Sequence, residues 1–138
     1  MFGWLTLHVL ALLLVAVQFG GILLFAAMVT PLVFRHLPAE TAALFLRGVF
    51  PVYYRVMGIL ALVAALPLVP GQSYMGEISA LVAVALGYVV LNTILRPAAE
   101  KARDENRRGA FRRLHRLSVA VHLVQFAVIS VVLVRLAQ

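Results

Sequence analysis

Four long apolar segments, separated by shorter polar ones, divide the 138-residue chain. The apolar segments cover residues 4–30, 52–68, 78–95 and 114–136. Each approaches or exceeds the ~20 apolar residues that an α-helix needs to cross a bilayer. The pattern therefore predicts an all-α integral membrane protein, a four-helix bundle built as a single transmembrane domain over residues 1–138.

The connection between the first two apolar segments, residues 31–51, has the sequence pattern of an amphipathic helix. Pro38 and Glu40 suit the first turn of a helix, and apolar residues recur on one side of the segment after them. We predict a short amphipathic helix here, on the cytoplasmic membrane surface, leading into the second span. Tyr53 and Tyr54 then open that span, where they are expected to form an interfacial belt.

Prolines mark the predicted ends of two spans. Pro31 follows the first span, and the pair Arg96-Pro97 closes the third. A proline disfavours helical backbone at the residue before it, so both spans are predicted to end there. The polar connection 96–113 then reads as a solvated helical extension.

Composition supports the membrane class and excludes several chemistries. The chain is 64% hydrophobic and 12% charged, whereas soluble domains are about half apolar and a quarter charged. It contains no cysteine, which excludes disulfides, thiolate metal sites, cysteine nucleophiles and iron–sulfur clusters. No carboxylate lies inside a predicted span, which argues against a carboxylate-driven proton or sodium pump.

Positive charge is concentrated in two connections that lie on the same side of the predicted bundle. Of the 12 basic residues, 11 belong to this group: Arg35, Arg47, Arg55, Arg96, Lys101, Arg103, Arg107, Arg108, Arg112, Arg113 and Arg116. By the positive-inside rule both connections are cytoplasmic and both termini lie outside, in a bacterial inner (plasma) membrane. The charge thus predicts topology and attraction of residues 96–116 to anionic lipid headgroups, with no nucleic-acid partner.

One polar stripe runs along the last apolar segment. His115, Ser118, His122 and Gln125 are spaced at i, i+3, i+7 and i+10, which places them on one face of a helix. Polar groups within a bilayer are costly and usually point into a bundle or a wet cavity. The stripe is therefore the leading candidate for a ligand-binding site or a polar bundle core.

Depth along the helices, at 1.5 Å per residue, groups the polar residues of different spans. Gln18 of the first span and Gln125 fall at the same mid-bilayer level, and Asn92 of the third span falls nearer His115 and Ser118. We predict that each group meets inside the bundle. The alternative is that these amides serve only as hydrogen bonds between helices.

Two histidines are candidate metal ligands. His8 lies at the outer edge of the first span and His122 near the midplane, so the two are poorly placed to share a metal. His122 has two open interpretations, a structural hydrogen bond or a role with a ligand, proton or ion.

Several short motifs carry a resemblance to a known family. In order they are QFGG at 18–21, TP at 30–31, LP at 37–38, FLRGVFPVYY at 45–54, NTILRP at 92–97 and FRRLHRLS at 111–118. Together they resemble the transmembrane-protein-205-like domain family, small four-span membrane proteins of bacteria and eukaryotes. The resemblance implies the architecture rather than an activity, and the family pattern has Asn where this chain has His122.

A second likeness concerns the first span. LHVL at 7–10, with a Gly-Gly in mid-span and a proline beyond it, is similar to CopD-type copper-resistance domains and HemJ-type haem-pathway proteins. Span histidines of that superfamily are associated with copper or haem, so the resemblance makes His8 a candidate ligand.

Three functions remain as hypotheses at this point. The leading one is handling of a small solute or metal ion by a homo-oligomer, because four spans of this size barely enclose a pathway. The alternatives are a haem- or copper-binding redox protein and a non-catalytic accessory protein for membrane assembly. No residue is assigned a catalytic role.

Overall fold

A computed structural model describes residues 5–138, so the predicted start of the first span at position 4 lies outside the described residues. Four helices, each long and apolar enough to cross a membrane, make up most of this part of the chain. They are α1 (Leu7–His36), α2 (Ala39–Leu68), α3 (Gln72–Asp104) and α4 (Arg108–Ala137). The prediction of an all-α, four-helix membrane bundle is confirmed.

The helices α1 and α3 continue past their prolines, so neither proline marks the end of a helix. A five-residue π-helical turn precedes each proline, Phe25–Val29 before Pro31 and Leu91–Leu95 before Pro97. Proline lacks an amide N–H, and its ring crowds the carbonyl four residues earlier. The wider π turn, with hydrogen bonds to the carbonyl five residues back, accommodates the proline without ending the helix.

The predicted amphipathic segment is helical, but it is the first part of α2 rather than a separate surface helix. The α-helix Ala39–Ala65 runs without a break through Pro51. Ala42 and Leu46 of this segment are buried against the rest of the bundle. Packing on the other helices holds the segment in line with the span that follows.

The two ends of the bundle differ in character. At one end, which we call the terminal end, His8 of α1 contacts the backbone carbonyl of Leu136 in the last turn of α4. At the opposite end, which we call the basic end, Arg47 of α2 pairs with Asp104 of α3. The two long polar connections and 11 of the 12 basic residues belong to the basic end.

The four helices pack in a ring, with α2 against α3, α3 against α4, α4 against α1 and α1 against α2. Small and branched side chains fill the middle; Ala11, Val15, Ala61, Leu81 and Ile129 are fully buried. The last part of α1, residues 30–36, contains no buried residue and lies closer to α2 than to α4. A gap between α1 and α4 is therefore left at the basic end.

Candidate functional site

Gln18 and Gln125 both lie inside the bundle, where each side-chain amide ties two helices together. Gln18 Nε2 donates to the carbonyl of Met57 at 3.2 Å, and Gln125 Nε2 donates to the carbonyl of Val84 at 2.9 Å. The two side chains are 0% and 4% exposed. They do not hydrogen-bond to each other as predicted, because backbone carbonyls, which the sequence pattern does not reveal, take their donors.

Gly87 makes room for one of these hydrogen bonds. A Cβ atom at position 87 would lie 2.7 Å from Nε2 of Gln125. The missing side chain lets Gln125 of α4 approach the backbone of α3 and reach Val84.

His122 lies in an aromatic surrounding that the sequence pattern did not predict. Its Nε2 is 3.0 Å from the hydroxyl of Tyr53, and the ring centroids of Tyr53, Tyr54 and Tyr88 lie 5.7, 6.4 and 5.9 Å from its own. Tyr53 is only 9% exposed. It therefore points into the bundle and contacts His122, an environment that the predicted interfacial belt did not include.

Tyr88 completes this group, and sequence reasoning missed it. The side chain is 1% exposed and lies beside Gln18. The available signal was a single tyrosine within an otherwise apolar run of the third span. We call the set Gln18, Tyr53, Tyr88, His122 and Gln125 the polar core.

Several atoms of the polar core have no hydrogen-bond partner among the described residues. They are Gln18 Oε1, Tyr88 Oη, His122 Nδ1 and Gln125 Oε1. Buried polar atoms in proteins are normally satisfied by a protein group or an ordered water. In the polar core Tyr88 lies beside Gln18 and Tyr53, and His122 lies beside Gln125, without a well-directed hydrogen bond at these four atoms.

The second predicted group, near the basic end, does not assemble. Asn92 accepts a hydrogen bond from Arg96 at 3.1 Å, and Ser118 donates to the carbonyl of Leu114 at 2.9 Å. The ring of His115 stacks on Phe111. Each polar group thus finds a partner within its own helix, and within residues 5–138 no hydrogen bond joins Asn92 to His115 or Ser118.

A cavity of about 780 Å³ opens at the basic end, between all four helices. His115, Ser118 and His122 line it, whereas Gln18, Asn92 and Gln125 do not. Along α4 its lining extends from Phe111 to Leu123, a length of about 18 Å at the helical rise. The predicted polar stripe therefore divides, with three members facing the cavity and Gln125 turned into the protein interior.

Charged groups from α2 and α3 form the rim of this cavity. Arg47 makes two hydrogen bonds to Asp104, at 3.1 and 2.9 Å, and a longer contact of 3.4 Å to Glu100. Arg96 also pairs with Glu100, at 2.9 Å. Arg103 lines the cavity too, and makes no ion pair with another described residue.

The two candidate metal ligands are far apart. Both ring nitrogens of His8 are engaged, Nδ1 with the hydroxyl of Tyr74 at 3.0 Å and Nε2 with the carbonyl of Leu136 at 2.7 Å. His122 precedes Leu136 by 14 residues on α4, about 21 Å along the helix. The part of the chain that the structure describes holds no group of three His, Asp or Glu side chains placed to share a metal ion.

An ion pair at the terminal end was not predicted either. Arg135 Nε is 2.6 Å from Glu77 Oε1, and the Glu77 side chain is 5% exposed while that of Arg135 is 60% exposed. A groove of about 280 Å³ beside the pair runs between α3 and α4. The available signal was that these two residues are the charges nearest the outer ends of the third and fourth spans.

Comparison with known proteins gives a family without an activity. No curated protein and no solved structure matches this chain. A family model described as a domain of unknown function, DUF4149, matches residues 13–108, well over half of the chain. The chain therefore belongs to the DUF4149 family of domains of unknown function.

Proposed function

We propose that this membrane protein handles a small solute inside the bundle, in the cavity at the basic end. The cavity supports this most directly. Its volume of about 780 Å³ falls within the range of about 300–1,000 Å³ typical of ligand sites. Like such sites it combines mostly apolar walls with a few polar groups, here supplied by all four helices.

Between the two kinds of cargo, an organic solute fits the cavity better than a metal ion. Phe25, Phe34 and Phe50 are among its walls, and its polar side chains His115, Ser118 and His122 are spread along α4. A bound metal ion requires several oxygen, nitrogen or sulfur ligands that converge on one point. Separate polar groups along an apolar slot instead suit an amphipathic molecule.

We propose that the basic end faces the cytoplasm of a bacterium and that both termini lie outside. The concentration of 11 of 12 basic residues at that end supports this orientation. The cavity would then open towards the inner leaflet of the membrane.

We also propose that the protein acts as a homo-oligomer. The groove beside Glu77 and Arg135 supports this, because Gly76, Ala80 and Ala127 are among its lining residues. Small residues on a membrane-facing surface let another helix approach closely, and the partly exposed Arg135 adds a polar contact. A second copy of the chain is the partner that we expect there.

Cysteine protection tests whether the cavity binds a solute. The chain has no native cysteine, so Ser118→Cys places a single thiol in the cavity and Ala120→Cys places one outside its lining. Three ten-carbon probes, decanol, decyl phosphate and decyltrimethylammonium, are added before a maleimide. At least one probe should slow labelling at position 118 and leave position 120 unaffected. If none of the three probes slows labelling at position 118 more than at position 120, the proposed function is overturned.

A further inference from the structure

We infer that the molecule bound in the cavity is an anionic phospholipid of the surrounding leaflet. Its phosphate lies at Arg103, and an acyl chain lies in the part of the cavity that opens between α1 and α4, which we call the slot. This inference rests on the proposed function and names the class of its solute. Charge at the rim, the opening of the slot and the exposure of its walls support it independently of one another.

The charges at the rim leave one cation available. Arg47 and Arg96 are already paired with the carboxylates of Asp104 and Glu100. Arg103 lines the same cavity and makes no ion pair within residues 5–138. A guanidinium binds phosphate through two parallel hydrogen bonds, so Arg103 suits a phosphate headgroup.

The electrostatic surroundings favour an anion over a cation. Residues 96–116 carry eight basic and three acidic side chains, so the field at the mouth of the cavity is positive. Glu40 is the lining carboxylate that makes no ion pair in the described part of the chain. It stands in the first turn of its helix, where the helix dipole partly balances its charge.

The slot is open sideways, towards lipid. Residues 30–36 of α1 contain no buried residue and lie closer to α2 than to α4, so no extensive helix contact seals α1 against α4 at this end. A molecule of the inner leaflet can therefore enter with its chain in the membrane and its headgroup at the rim. It need not cross water to reach the cavity.

The walls of the slot are apolar and uncovered. Phe34 and Leu123 line the cavity but are 58% and 64% exposed, and Val119 is 44% exposed. Phe34 lies on the α1 side of the gap, and Val119 and Leu123 lie on the α4 side at increasing depth from the basic end. A hydrocarbon chain lying there would contact all of them, which matches the ~18 Å length of the slot along α4.

Native mass spectrometry of the full-length protein tests this inference. The protein is reconstituted in bilayer discs containing equal amounts of phosphatidylglycerol and phosphatidylcholine with identical acyl chains, and the retained lipids are counted. We expect phosphatidylglycerol to be retained about fivefold over phosphatidylcholine, the effect of one arginine beside an anionic headgroup. Arg103→Gln should abolish the preference. Arg112→Gln, which removes the same charge from the same connection but away from the cavity, should keep most of it.

Each other outcome contradicts the inference in a different way. Equal retention of the two lipids would show that the site does not select an anion. Equal loss of preference in both variants would place the lipid on the general basic surface and not at Arg103. Protection of Ser118→Cys by decanol or decyltrimethylammonium, with none by decyl phosphate, would leave the proposed function standing and overturn this inference alone.

Discussion

Tyr53 of α2 and His122 of α4, 69 residues apart in the chain, are joined by a hydrogen bond of 3.0 Å between the tyrosine hydroxyl and the imidazole Nε2. The bond connects a residue expected at the membrane surface with one expected at the midplane. It also lies at the deep end of the cavity, because His122 is among the lining residues. The polar core and the cavity therefore share one side chain.

Replacing Tyr53 should weaken the packing of α2 against α4. In Tyr53→Phe the ring remains but His122 Nε2 loses its hydrogen-bond partner. We therefore expect the free energy of unfolding to fall by about 0.5–2 kcal/mol. Thermal unfolding in detergent measures the change. Tyr54→Phe is the matched control, since the Tyr54 ring lies 6.4 Å from that of His122 and its hydroxyl makes no side-chain hydrogen bond within residues 5–138. Equal destabilisation by both substitutions would contradict a special role for the Tyr53 hydroxyl.

The close approach of α3 and α4 at Gly87 gives a second test. An alanine Cβ there would lie 2.7 Å from Gln125 Nε2, so Gly87→Ala must displace Gln125 from the carbonyl of Val84. Because this hydrogen bond is broken, we expect the free energy of unfolding to fall by about 1–2 kcal/mol. Gly20→Ala has no neighbouring atom within 4 Å of the new Cβ and should leave stability unchanged or raise it by up to ~1 kcal/mol. A stable Gly87→Ala variant would show that Gln125 does not depend on this contact.

The ion pair at the terminal end should depend on both of its members. Arg135→Ala leaves the buried Glu77 carboxylate without its partner. We expect the free energy of unfolding to fall by about 1–3 kcal/mol. This lies below the 3–5 kcal/mol typical of fully buried pairs because Arg135 is 60% exposed. The double variant Glu77→Gln, Arg135→Ala should recover much of the loss. If it is as unstable as Arg135→Ala alone, the cost does not come from an uncompensated carboxylate.

Cross-linking should locate the proposed contact between copies of the chain. Ala127→Cys places a thiol in the groove between α3 and α4, and a bifunctional maleimide should join two chains in the membrane. Val17→Cys lies at a similar distance from the terminal end but on α1, outside both the groove and the cavity. We expect at least several times more dimer on a denaturing gel from position 127. Similar yields from both positions would indicate random collisions.

Labelling from one side of the membrane should determine the orientation. A membrane-impermeant maleimide should label Ser73→Cys, in the first turn of α3, in intact cells, and should label Glu105→Cys, between α3 and α4, only after lysis. The expectation follows from the basic residues at the end that contains position 105. The opposite pattern would invert the topology, and the cavity would then open to the outer leaflet.

The order and class of the helices followed from the sequence alone. Four apolar segments of sufficient length predict four spans whatever their neighbours, because a backbone in lipid must satisfy its hydrogen bonds within a helix. The sequence likewise placed Gln18, His122 and Gln125 among the polar residues of the spans. Local rules failed at Pro31 and Pro97, where a π turn before each proline allows the helix to continue.

Only the tertiary structure decided which hydrogen-bond partner each polar side chain of the spans has. Gln18 and Gln125 bind backbone carbonyls of other helices, and Asn92 binds Arg96 of its own helix, so depth along a helix was not enough to predict which polar groups meet. The cavity also has no signature in any one segment, since its lining comes from four helices. It exists because the last part of α1 does not pack against α4. The pattern of apolar residues thus determined the spans. The site was determined by the rotation and spacing of the helices, which contacts such as that of Gly87 with Gln125 set.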